Sequence, residues 1–295
     1  MLVIKRLSAL AATIGAGLGY AGAALAEAAA QPPGLGQPTP WQLGLQLSAT
    51  PVMDSIISFH TGLLYVIAAI SAFVLILLVI IMVRFNARAN PTPSRTTHNT
   101  LLEVAWTLIP VAILVGVAIP SFRLLFFQLN MPAMSAEAGD VTVKATGKQW
   151  YWTYSYPDHG NFEFDSLMIR DPKLLNGRPR LLAVDNEMVV PVNKNIRIIT
   201  TGAEVIHAFA VPSFGIKIDS IPGRINETWF RVTREGIYYG QCSELCGKDH
   251  AYMPIAVRVV SEEQFKTWVD GARKKFARDG AVPTTVATAE PTAVR

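Results

Sequence analysis

The sequence predicts two membrane-spanning helices followed by an all-β sandwich or barrel. Two observations carry this. Ile56 to Val83 and Leu101 to Phe127 are long apolar runs, each exceeding the roughly 20 residues that cross a bilayer core. From about residue 130 to 260 the pattern changes to short alternating stretches rich in β-branched residues and punctuated by Pro and Gly.

The chain has 295 residues, of which 51% are apolar and only 16% charged, so it is neither disordered nor collagenous. Its net charge of +4 does not point to nucleic acid. Residues 128–260 carry fourteen acidic and fourteen basic side chains, which cancel, and the excess lies in the leader, the apolar region and its connecting loop. Two cysteines in so long a chain exclude a disulfide scaffold.

Residues 1–26 read as a signal peptide: Lys5 and Arg6, then small and apolar residues, ending in Ala24-Leu25-Ala26 as a cleavage site. Residues 27–54, rich in Ala, Pro, Gly and Gln, read as a loose exported segment. The hairpin is expected over 55–128, with helices at 56–83 and 101–127. Pro110 and Pro120 are tolerable in a membrane helix. The loop 84–100 holds Arg84, Arg88 and Arg95 and no acid, which puts it in the cytoplasm and both outer ends on the exported side.

The exported domain is expected over 129–260 as antiparallel strands, exemplified by Val141–Thr146, Asn195–Thr200 and Ile225–Val232. A helix follows over 261–278, opened by a Ser261/Gln264 capping box and carrying an apolar stripe of Phe265, Trp268 and Val269. Residues 279–295 lack periodicity and read as a mobile tail.

Both cysteines fall in one stretch, Cys242-Ser-Glu244-Leu-Cys246-Gly-Lys-Asp-His250-Ala-Tyr-Met253, and His207 stands on a strand upstream. Thiolate, thioether and imidazole together select copper, whereas zinc sites seldom use methionine. One upstream His and a compact Cys…His…Met loop are the parts of a mononuclear blue-copper site. The second cysteine adds a thiolate, and two thiolates can bridge two ions with one imidazole for each. A Cys242–Cys246 disulfide is the competing reading on an oxidising side of the membrane, but it would leave His250 and Met253 without a reason to share the loop.

The motifs Gly147-Lys-Gln-Trp150-Tyr-Trp152, His207-Ala-Phe-Ala-Val-Pro-Ser-Phe-Gly-Ile-Lys-Ile-Asp219, Ile221-Pro-Gly-Arg-Ile-Asn226 and Tyr239-Gly-Gln-Cys242 through Met253-Pro254 resemble subunit II of bacterial, mitochondria-like haem-copper cytochrome c oxidase. The resemblance covers roughly residues 50–260. It implies a cupredoxin domain with a binuclear CuA centre held by His207, Cys242, Cys246, His250, Met253 and the backbone carbonyl of Glu244. It also implies a magnesium or manganese site at the Glu244 side chain shared with subunit I, and haems within subunit I. Subunits I and III, membrane lipid and the donor cytochrome c are the implied partners, in the bacterial inner membrane with the domain in the periplasm.

By the same resemblance Trp150 receives the electron from cytochrome c, and Glu103 opens the K-pathway for protons on the cytoplasmic side. A carboxylate just inside a membrane helix is costly, which independently marks Glu103. Glu163, Asp185, Glu204 and Asp219 are candidate docking acids for a basic cytochrome. Some relatives carry an acid where this chain has Ser155. Full retention of the copper ligands argues against a quinol oxidase subunit, and the hairpin argues against nitrous oxide reductase. Reversible copper release would mark a copper-delivery protein instead.

Overall fold

The computed structural model describes residues 36–276 except 176 and 177. The expected signal peptide and the tail from 279 lie outside the described residues. The chain divides into a helical unit, Thr50–Ala133, and a β unit made of the described parts of Met1–Ala49 and Met134–Arg295.

In the helical unit, α1 spans Pro51–Arg84 and α2 spans Thr100–Leu129. Helix α1 begins five residues before the apolar run because its start signal lies there. The Thr50 hydroxyl accepts from the Met53 amide at 3.1 Å, and Pro51 occupies the first helical position, where a missing N–H costs nothing. Asn99 caps α2 by accepting from the Leu102 amide at 3.2 Å, and Glu103 sits in the first turn, where the helix dipole favours an acid. Both helices are long and apolar enough to cross a membrane. From Leu64 to Val83 the apolar side chains of α1 are largely exposed, the surface that lipid or neighbouring helices require.

The β unit contains β1 Val141–Lys148, β2 Tyr151–Tyr156, β3 Phe162–Ser166, β4 Met188–Pro191, β5 Ile196–Gly202, β6 His207–Val211, β7 Ile216–Ser220, β8 Asn226–Phe230, β9 Gly236–Cys242 and β10 Pro254–Val260. They form two five-stranded sheets, ordered β3-β2-β1-β5-β8 and β4-β10-β9-β6-β7. The strands are not all antiparallel as expected: β1 pairs with β5 and β10 with β4 in parallel. Alternation reveals a strand's inner face, but the direction of its neighbour depends on crossovers between sheets, which alternation does not encode.

One core fills the space between the sheets. From β2 it takes Trp152, Tyr154 and Tyr156; the opposite sheet contributes Phe209, Tyr238, Ile255 and Val257. The Tyr156 hydroxyl donates to the Val189 carbonyl at 2.8 Å and accepts from the Val189 amide at 2.9 Å, tying β2 to β4 across the core. Most of the aromatic strand is therefore packing.

Helix α3, Glu262–Phe276, closes one side with buried Phe265, Val269 and Ala272, and Trp268 meets the rings of Tyr156, Phe162 and Phe164. The capping box forms in both directions, Gln264 N–H to Ser261 Oγ at 3.3 Å and Ser261 N–H to Gln264 Oε1 at 3.4 Å. His159 is half-buried against Phe265 rather than an exposed loop histidine, and burial lowers its pKa.

The segment before α1 is not loose where it is described. The Gly36 carbonyl accepts from the Tyr239 amide at 2.8 Å, the Ala49 amide donates to Ser213 at 2.9 Å, and the Ala49 carbonyl accepts from Thr233 at 3.0 Å. Composition suggested a linker, but backbone pairing needs no particular side chains and leaves little mark in the sequence.

Candidate metal centre

His207 opens β6 and Cys242 closes β9; these strands are antiparallel neighbours, with Phe209 opposite Cys242. The Ser243 amide donates to Ala208 at 3.0 Å and carries the pairing one step towards His207. The loop then turns back, and Met253 directly precedes β10. Two strand ends and one loop thus collect donors that are 46 residues apart in sequence at the extremes, from His207 to Met253.

The two thiols are free. Their sulfurs are 3.9 Å apart, far beyond the roughly 2.05 Å of a disulfide bond. His207 Nδ1 lies 3.8 Å from Cys242 Sγ, and His250 Nδ1 lies 3.5 Å from Cys246 Sγ. Met253 Sδ is 3.5 Å from Cys246 Sγ, and the Glu244 carbonyl is 3.4 Å from Cys242 Sγ. The ligand atoms of His207, Cys242 and Cys246 fall within 4.8 Å of one another, a candidate metal site by themselves. His207, Cys242, Cys246 and Met253 are buried, His250 is half-buried, and the Glu244 side chain is exposed.

These distances suit metal. An ion bonded to a thiolate at about 2.3 Å and an imidazole at about 2.0 Å needs the two donors no more than about 4.3 Å apart. Both sulfur–nitrogen pairs satisfy this, and the sulfurs are close enough to be shared. Two sulfurs, two imidazoles and a thioether form a soft set that favours copper.

Cys246 and His207 both favour the neutral state. Burial pushes the Cys246 thiol up to about 12, and the neighbouring Cys242 sulfur adds to the rise. Burial lowers the His207 pKa, with Glu204 opposing and His250 assisting, so the ring favours the neutral state that binds metal.

The surround is tight. A Cβ on Gly147 would stand 2.7 Å from His207 Cδ2, and the Trp152 ring meets the His207 ring edge-on at 6.0 Å. Trp152 Nε1–H donates to the Met253 carbonyl at 3.3 Å. Trp150, half-buried, donates its Nε1–H to the Cys246 carbonyl at 3.0 Å, and Gln149 Nε2 donates to the same oxygen at 3.1 Å. Gly147 and Gln149 belong to a motif noted in the sequence, but nothing there distinguished them from neighbours; their roles require the fold.

Among the candidate docking acids, Glu204 is beside Trp150, since its Oε2 accepts from the Gln149 amide at 3.3 Å. Asp185 is occupied in a turn, accepting from the Leu167 and Asn186 amides at 2.7 Å each. Glu163 and Asp219 lie on β3 and β7. Glu103 belongs to the helical unit and is not part of this centre.

Residues 141–260 match the family described as cytochrome C oxidase subunit II, periplasmic domain, and residues 38–124 match the transmembrane domain of the same subunit. A protein of Rickettsia bellii (strain RML369-C) named "Probable cytochrome c oxidase subunit 2" is 51% identical over 244 residues, 83% of this chain and 88% of that protein.

The chain belongs to the cytochrome c oxidase subunit II family.

Cytochrome c oxidase subunit 2 of Cereibacter sphaeroides is 46% identical over 257 residues, 81% of this chain and 83% of that one. The solved periplasmic domain of subunit II of cytochrome oxidase from Bradyrhizobium japonicum is 63% identical, covers 50% of this chain and 100% of its own, and gives a TM-score of 0.46. As in the subunit II family, transmembrane helices precede a cupredoxin-like domain, here with a His/Cys/Cys candidate metal site.

Proposed function

We propose that this chain takes electrons from cytochrome c at a dinuclear copper centre and passes them to the haem and copper site of subunit I, where oxygen is reduced to water and protons are translocated. The observation that carries the reading is the pair of unjoined thiols 3.9 Å apart, each with an imidazole nitrogen within 3.8 Å. His207, Cys242, Cys246, His250, Met253 and the Glu244 carbonyl would hold the ions, with both thiolates shared. When bound, such a copper pair supplies a one-electron acceptor whose unpaired electron spreads over both ions.

The protein's part is to keep that site from moving. Donors fixed at strand ends and packed against Trp152 change position little when charge arrives, which keeps the reorganisation of each transfer small. Burial excludes water from the sulfurs. Trp150 is the receiving ring, and its hydrogen bond to the Cys246 carbonyl leads through C, Cα and Cβ to the Cys246 sulfur, which would hold copper. Glu204, hydrogen-bonded to Gln149 next to Trp150, would steer a basic cytochrome by charge.

Two further roles belong to the same proposal. The exposed Glu244 carboxylate is available to a magnesium or manganese ion shared with subunit I. Glu103, in the first turn of α2 after the arginine-bearing loop, would take up protons at the cytoplasmic face of a bacterial inner membrane, with the β unit in the periplasm and subunit III completing the assembly.

The test is copper analysis with electron resonance on the full chain purified in detergent. Two copper ions per chain with a delocalised mixed-valence signal are expected. One copper, zinc, or a Cys242–Cys246 disulfide in matured protein overturns the proposal.

A further inference from the structure

We propose that Gln149 is a positioning residue that locks the Trp150 ring to the metal-binding loop. The inference deepens the electron-transfer reading above and rests on it for its functional meaning.

The Cys246 carbonyl oxygen takes two donors, the Trp150 indole at 3.0 Å and the Gln149 carboxamide at 3.1 Å. A carbonyl offers two lone pairs, and here both are used by neighbouring residues of one chain segment. A single hydrogen bond from the edge of an indole leaves the peptide plane free to swing about that contact. A second donor from a different direction removes the swing. The Gln149 backbone is itself held, because its main-chain N–H donates to Glu204 Oε2 at 3.3 Å.

The loop side is shaped for the same contact. Gly247 follows Cys246 with φ of +116°, a backbone state that side chains rarely adopt. A Cβ there would lie 3.1 Å from Trp150 Cζ2 and 3.4 Å from Gln149 Nε2. The glycine thus meets both donors at close range, and a larger residue would part them from the carbonyl. Residues that follow β1 and the loop after β9 are joined at one oxygen, on the backbone of a candidate ligand cysteine.

Gln149 is exposed as a residue, so a direct contact with cytochrome c is the competing role, and the test must separate the two. The experiment compares wild type with Gln149→Leu, which removes the donor, in the full chain in detergent without cytochrome c. Indole N–H hydrogen exchange is read for Trp150 and Trp152 by NMR.

Exchange at Trp150 is expected to accelerate roughly tenfold, the equivalent of losing one ordinary hydrogen bond's restraint, with Trp152 unchanged. Unchanged Trp150 exchange overturns the proposal. Accelerated exchange at both rings indicates general unfolding and overturns it as well.

Reconstituted oxidase then supplies the second reading. The clamp predicts slower electron uptake with unaltered KM for cytochrome c and unaltered copper content. A raised KM with unaltered exchange assigns Gln149 to docking instead. Because the exchange measurement needs no copper, it can succeed even where the copper proposal fails, and wild-type copper content decides that question separately.

Discussion

Gly147 packs against the side chain of His207, so close that a Cβ on the glycine would stand 2.7 Å from Cδ2, 2.8 Å from Cγ and 2.9 Å from Cβ of the histidine. The strand β1 has no room for a side chain at the point where it passes this candidate metal ligand. Gly147→Ala therefore has to move the ring or the strand. Overpacking of this kind costs about 1–3 kcal/mol. The thermal midpoint of the full chain should fall, and copper content per chain should fall with it. Normal copper content in a folded Gly147→Ala protein would show that the contact does not position His207.

Trp150→Phe keeps a ring but removes the donor to the Cys246 carbonyl. Electron uptake from cytochrome c should slow, because the hydrogen-bonded link to the Cys246 carbonyl is cut, while the copper spectrum persists. Stopped-flow reduction checks this. Unchanged kinetics would remove Trp150 from the route.

Loading the site should release protons. Burial, reinforced by Cys242, raises the Cys246 thiol to about 12, so at neutral pH it is protonated until a cation displaces the proton. Titration calorimetry in buffers of different ionisation enthalpy should detect net release, and apparent copper affinity should rise with pH.

The same shift destabilises the metal-free fold at high pH. Above the unfolded thiol value near 8.5 the unfolded chain gives up this proton while the folded one retains it until about 12. The unfolded state then binds fewer protons, and stability contributed by this group falls as pH rises through that window. A flat midpoint between those limits in metal-free protein would contradict the assigned cause.

Tyr156→Phe should cost about 1–3 kcal/mol. The hydroxyl serves both the amide and the carbonyl of Val189 in a dry core, and its loss leaves two buried backbone groups unsatisfied. Denaturant unfolding of the full chain checks the figure. The copper site, at the other end of β2, should keep its spectrum in the folded fraction.

Glu103→Ala addresses the proton side. Turnover of the assembled oxidase should slow several-fold with the copper spectrum unchanged, because Glu103 lies in the helical unit. Normal turnover would leave Glu103 as an interfacial acid at a helix N-terminus.

The candidate ligand loop was legible because its chemistry is local: Cys242, Cys246, His250 and Met253 lie within twelve residues. His207 could be guessed as their partner but not ranged against them, since its place depends on β6 pairing with β9. The helices were equally plain from twenty or more consecutive apolar residues, although the start of α1 lay in Thr50 and Pro51, outside the apolar run. The seating of Gly36–Ala49 on the β unit was not readable, because main-chain hydrogen bonds supply much of it.

By itself, then, the sequence determined the kinds of element and the candidate donors, since hydrophobic period and ligand softness are properties of residues along a chain. Tertiary structure alone decided which strands run parallel, which sulfur meets which imidazole, and why side chains are crowded out at Gly147 and Gly247. Those are contacts between segments far apart in order, and each depends on the close packing of groups whose spacing the linear chain does not record.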